Sequence, residues 1–168
     1  YCAFEESEAS LHARFRALFG DEKPCLDNFL FAFRLFPLPH GGLQQLADYI
    51  SANPETVLVI LDPLIRVRER RKWREANVYE LDYEALEGLH DLGKEQRLAF
   101  LVIHHLRKTE APDPILTFSG STGLSAAADT TWVLKRISKG VTILHVRGRH
   151  IKESEFALRF DGAKWHLL

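Results

Sequence analysis

Four apolar runs in this chain end on residues able to carry charge or move a proton. Glu5 and Glu6 follow Phe4, Asp62 follows the run VLVIL at 57–61, His104 and His105 follow Ile103, and Arg147, Gly148 and Arg149 follow Val146. In an open α/β sheet ligands bind outside the carboxyl ends of the strands. Acid, acid, imidazole and guanidinium at successive strand ends are then the parts of a phosphate-processing site with a divalent ion.

Each position has an ordinary alternative. Asp62 offers the hard oxygen that Mg²⁺ prefers, directly or through water; otherwise it is a turn or cap aspartate before Pro63. Glu5 can orient and deprotonate an attacking water as a general base; otherwise it is a solvated charge. Glu6 competes for that role, and because successive strand residues point to opposite faces, only one of the two enters the site. The same alternation separates His104 from His105, so the pair does not chelate one metal. His105, at the strand's exit, is favoured as a phosphate sensor, against two satisfied core or surface imidazoles. Arg147 and Arg149 stand two apart in an extended segment and share one face, with no acid between them, which suits a polyanion. The alternative there is a strand surface salt-bridged to Glu153 or Glu155.

Two loops add to this set. The segment RVRERRKWR at 66–74 carries six basic side chains, Arg66, Arg68, Arg70, Arg71, Lys72 and Arg74, together with Trp73. Such a loop can grip phosphates and offer a stacking surface, although most charge runs are merely solvated. TFSGSTGL at 117–124, with Ser119 and Ser121, can bind an anion through small residues and backbone N–H groups; otherwise it is a connector.

The elements that must hold these residues alternate. A strand at 1–4 is followed by Ser7, a good N-cap, and by an apolar stripe Leu11, Phe15, Leu18 and Phe19 ending at Gly20. Further strands are expected at 29–33, at 57–61 (buried on both faces) and at 98–104, with helices carrying Leu43, Leu46, Ala47 and Ile50, then Tyr79, Tyr83, Leu86 and His90, the last ending near Gly93. Beyond 130 the pattern becomes strands at 132–135, 142–146, 155–160 and 165–168, with turns at 138–140 and 161–162, an antiparallel edge expected to extend the parallel sheet.

Composition bounds the answer. With 168 residues, 46% of them hydrophobic, and a net charge of -1, the chain suits one domain with a real core and no all-over nucleic-acid coat. The longest apolar run, 98–103, falls well short of the roughly 20 residues of a membrane span. Cys2 and Cys25 make no disulfide framework and no CxxC, so a cytoplasmic setting is the simplest. No methionine occurs, and the chain opens on what reads as the end of a strand, which predicts that the native N-terminus precedes Tyr1.

With these residues in order, the chain resembles the RecA-like AAA ATPase domain of the RepA type, the family of plasmid and phage replicative helicases. The likeness runs through YCAFEES, VLVILDPL, NVYELDYEAL, LVIHHLRK, SGSTGLSAAADTTWVLKR and HVRGRHIKESEFALRF. It implies an α/β RecA-like P-loop NTPase core over 1–168, with a mostly parallel sheet and C-terminal antiparallel hairpin strands. It implies ATP and Mg²⁺ as cofactors, single-stranded DNA as a partner, a homo-oligomeric ring that is hexameric in the family, and no membrane. Glu5 would be the glutamate that activates water and Asp62 the Walker B aspartate. His105, together with His104, would report the γ-phosphate to the loop at 117–124. Arg149 is similar to the arginine finger that reaches a neighbouring subunit's nucleotide, assisted by Arg147. The loops at 66–74 and 117–124 resemble those that face DNA in the ring.

One departure is large. The GxxxxGK[ST] phosphate loop, which the family places on the strand before YCAFEES, is absent from these 168 residues. The expectation is an N-terminally truncated domain lacking the first strand and the phosphate loop, binding ATP poorly alone. Two other readings stay open: a RadA- or KaiC-like ATPase of recombination or regulation, and a non-catalytic nucleic-acid-binding module. A metal-dependent hydrolase built on Asp62 and His105 is disfavoured by strand alternation and by the lack of a third clustered ligand.

Overall fold

The structure, a computed structural model, describes residues 1–20, 22, 27–68, 78–106 and 123–168. Its first βα unit forms as the local chemistry dictates. Strand β1, Cys2–Ala3, leads into helix α1, Glu8–Phe19, whose first turn is capped by Ser7 accepting a hydrogen bond from Ser10 N at 3.2 Å. The α1 stripe buries Leu11, and Phe15 meets Phe31 edge-on at 5.5 Å. Tyr1 joins the same cluster, 6.4 Å from Phe29 and 6.1 Å from Phe31.

These rings explain one correction. Instead of the strand expected at 29–33, the segment makes a single parallel bridge, Ala32 to Cys2. A two-residue β1 offers little ladder to extend, so Phe29 and Phe31 are held by ring packing more than by backbone pairing.

Strands β2, Leu58–Asp62, and β3, Ala99–Val102, complete a parallel sheet in the order β1-β2-β3. Helices α2, Gly42–Ala52, and α3, Val78–Gln96, cover one face of it. The core there joins Val59 and Leu61 of β2 to Leu46 and Ile50 of α2 and Leu89 and Leu92 of α3, with Phe100 and Val102 packed against it. The opposite face is only partly covered: Ala3 there is 1% exposed, but Leu58 is 48% exposed, Leu101 38% and Ile103 37%. The expectation of a β2 buried on both faces is thereby corrected, because the described helices α2 and α3 supply apolar stripes to one side only.

Helix α3 also passes through Gly93, where an end was expected. A Cβ at Gly93 would stand 3.1 Å from Leu98 O and 3.3 Å from the Phe100 ring. The glycine permits a close approach of helix and strand, and the turn falls instead at Arg97, with φ 56°.

The C-terminal strands β4, Thr130–Ser138, β5, Val141–Gly148, β6, Ile151–Phe160, and β7, Trp165–Leu167, form an antiparallel meander. Here the expectation of one extended sheet is corrected: among the described residues β4–β7 pair only with one another. The two parts meet through the short helix α4, Gly123–Ala127, which packs on α3 and places Leu124 in the core. His90 of α3 lies 3.7 Å from Asp129, adding a polar contact at that junction when its imidazole is protonated.

The turn between β6 and β7 yields a pH prediction. Asp161 accepts hydrogen bonds from Lys164 N at 2.7 Å, Ala163 N at 2.9 Å and the His166 ring at 2.6 Å. These bonds, the Lys164 one foremost, hold its carboxyl well below the usual carboxylate range. A depressed folded-state pKa contributes stability that is complete above the unfolded value of about 3.9 and is lost as pH falls through the folded one. Asp161→Asn is therefore expected to lower urea stability near neutrality, with the gap from the parent narrowing in strong acid.

Candidate active site

Strand register decides what meets at the carboxyl edge of the parallel sheet. Ala3 is paired with Asp62, and Leu61 with Val102. Just past the ladder, Phe4 N donates to Asp62 O at 2.8 Å and Leu64 N to Ile103 O at 2.9 Å. Glu5, Asp62 and His105 therefore leave neighbouring strands at one edge.

Glu5 is the hub. Its Oε1 accepts a hydrogen bond from Arg66 Nε at 2.9 Å, and its Oε2 lies 3.7 Å from His105 Nε2. The side chain is 40% exposed, so water reaches the carboxylate. Arg66 closes a 3-10 turn, Leu64–Arg66, that folds back over the end of β2. Although Arg66 opens the basic run, this turn delivers its guanidinium to Glu5. Arg68, two residues on, is half-buried and donates its backbone N–H to Leu64 O at 3.0 Å.

Glu6 turns away from that hub. It forms an ion pair with Arg14 of α1, and its side chain is only 16% exposed. The two glutamates thus have different surroundings, one open and shared with an imidazole, the other committed to a helix. The histidines divide similarly: His104 is half-buried and His105 largely exposed.

Asp62 faces the same side of the sheet as Tyr1, whose hydroxyl donates to Asp62 Oδ2 at 2.6 Å. Oδ1 has no side-chain partner among the described residues. Burial, followed by this hydrogen bond, pushes the Tyr1 phenol well above its ordinary value, so it remains a donor throughout the neutral range. Sequence reasoning missed both Tyr1 and Arg14. For Tyr1 the available signal was parity, because it shares a face with Ala3, the partner of Asp62 in the ladder.

The arginine pair is not part of this edge. Strand β5 ends at Gly148, with a register irregularity between Val146 and Gly148. Arg147 Nη2 donates to Glu153 Oε1 at 2.6 Å, toward β6, whereas Arg149 Nη2 donates to Ala126 O at 2.9 Å, beside the start of β4. A second Arg149 nitrogen lies 3.8 Å from Asp129. The expected common face is corrected: the break in the ladder sends the two side chains toward opposite neighbours. Glu153 does pair with Arg147, and Glu155 instead holds His145 at 2.7 Å.

Among the described residues no three His, Cys, Asp or Glu side chains gather as a metal site. Arg70, Arg71, Lys72, Trp73, Arg74, Ser119 and Ser121 lie outside the described residues. Asp62 alone fits Mg²⁺, which typically keeps several waters and binds through one or two carboxylates plus substrate phosphates. No phosphate cradle of the GxxxxGK[ST] kind is present in the sequence.

A family model described as an AAA domain matches residues 1–111. A search of curated proteins by sequence finds no match. Among solved structures, the chain is similar to that of a DnaB-like replicative helicase, described with its interactions with primase, at a TM-score of 0.71 and 14% identity over 96% of this chain. The likeness is one of fold, and this chain spans about half of that protein, 48% of its length. No described helix is long and apolar enough to cross a membrane.

Proposed function

The chain belongs to the AAA domain family, and from that membership and its RecA-like fold we propose that it is the ATP-hydrolysing domain of a DNA motor or loader, of the RepA-like replicative helicase type. The observation that carries this reading is the gathering of Glu5, Arg66 and His105 beside Asp62 at the carboxyl edge. A structural ion pair alone would not need an accessible acid between a cation and an imidazole at that edge.

Bound Mg²⁺·ATP would supply the electrophilic phosphorus and the neutralising charge. The rest is done by side chains. The Arg66 bond orients the Glu5 carboxylate, whose open oxygen aligns a water and takes its proton. His105 is placed to sense what occupies the space next to Glu5. Asp62 would hold the metal through its carboxylate. Arg149, in the turn between β5 and β6 and 53% exposed, acts on a neighbouring copy's nucleotide, so a ring of subunits completes the site. This reading also needs a phosphate loop, which these 168 residues do not contain.

The test uses the full-length protein. Arg149→Ala is expected to cut ATP hydrolysis by roughly 10³–10⁵ in kcat while nucleotide affinity stays near the parent value. Hydrolysis that persists removes Arg149 from the mechanism. Single-stranded DNA is expected to stimulate the parent; hydrolysis indifferent to DNA favours a RadA- or KaiC-like regulatory ATPase instead.

A second variant tests the DNA contact. Replacing Arg70, Arg71 and Lys72 together with alanine is expected to weaken single-stranded DNA binding and to flatten its salt dependence by about 0.7 in log–log slope per lost phosphate contact. An unchanged slope returns the segment to a solvated loop.

A further inference from the structure

Tyr1 is a polar side chain at the carboxyl edge that the proposed chemistry does not use. Its hydroxyl is 2.6 Å from Asp62 Oδ2, and its ring is held edge-on by Phe29 and Phe31. A phenol clamped by two rings has little freedom to swing, so its O–H bond fixes the plane of the carboxylate it meets. Among the described residues only Asp62 Oδ2 is engaged, and Oδ1 has no side-chain partner. Beneath them, Glu6 pairs with Arg14, and one Glu6 oxygen is buried without a hydrogen-bond partner. That second acid shares the field at Tyr1 with Asp62, and Arg14 opposes both.

We propose that Tyr1 is a positioning residue for the metal: by donating to Asp62 Oδ2 it holds the carboxylate so that Oδ1 faces the divalent ion. The inference rests on the reading of Asp62 as the magnesium-holding aspartate. Its logic is that of other outer-sphere partners, which set the orientation of a metal ligand and whose loss weakens metal binding about 10–100-fold. A purely structural tyrosine would contribute through its ring, and phenylalanine would replace it without effect on the metal.

Mn²⁺ binding to the full-length protein, followed by electron paramagnetic resonance in the presence of AMP-PNP, separates the cases. Tyr1→Phe keeps both ring contacts and is expected to raise the Mn²⁺ dissociation constant about tenfold or more, with metal-free nucleotide affinity unchanged. Asp62→Asn is expected to lose Mn²⁺ further. If Asp62→Asn weakens Mn²⁺ binding and Tyr1→Phe does not, the positioning role is overturned and the metal assignment stands. If neither variant changes Mn²⁺ affinity, the metal assignment fails and takes the positioning role with it. Should Tyr1→Phe not fold, 3-fluorotyrosine at position 1 gives a second reading: its ¹⁹F resonance is expected to shift when Mg²⁺ joins bound AMP-PNP, and a fixed resonance overturns the proposal.

Discussion

Glu5→Gln in the full-length protein is expected to slow ATP hydrolysis by about 10²–10⁴ while nucleotide affinity and folding stay close to the parent. The amide keeps the size of the side chain and can still accept the Arg66 hydrogen bond at Oε1, but it cannot take a proton from water. Glu6→Gln makes the informative contrast. Its carboxylate is mostly covered and committed to Arg14, so the variant is expected to lose stability and to retain most of the hydrolysis. Single-turnover hydrolysis of both variants, beside a nucleotide-binding measurement, decides between the two glutamates. If Glu6→Gln is the one that stops the chemistry, the hub at Glu5 is an ion-pair network and the catalytic assignment moves.

Truncating the centre of the core is expected to have the largest effect on stability. Leu61 is wholly buried where β2 meets α2 and α3. Leu61→Ala removes apolar contacts and leaves a cavity that a packed sheet and two helices cannot close, a loss of about 2–5 kcal/mol. Leu58 lies in the same strand on the opposite face and is 48% exposed. Leu58→Ala in the same 168 residues is expected to cost about 1 kcal/mol or less. Urea denaturation of the two variants checks the pair, and equal losses would mean that both faces of the parallel sheet are covered.

The sequence reading of the site leaned on the twofold period of a strand. It set Glu5 apart from Glu6 and His104 from His105, and the members of each pair do have different surroundings, but β1 ends at Ala3 and β3 at Val102, so the chain beyond the ladder divides them. Capping chemistry made α1 readable in the same way, because Ser7 is followed by an apolar stripe at helical spacing and then by Gly20. The period failed where the ladder itself broke. Arg147 and Arg149 are two apart, yet β5 ends between them and each side chain found a different partner. Arg66 shows another limit: composition tied it to the basic run, and its contact with Glu5 depends on a tight turn that the run does not reveal.

By itself, the sequence determined the alternation of strands and helices, the acids and imidazoles at the strand ends, and the switch to hairpins after residue 130. All of these depend on neighbours within a few positions, where side-chain period and turn chemistry act directly. Only the tertiary structure decided which face of the parallel sheet is covered, that the hairpins form their own sheet, and that Tyr1 meets Asp62 across 61 positions. Those outcomes are set by register and by the packing of distant elements, whose energies are non-local and leave no periodic trace along the chain.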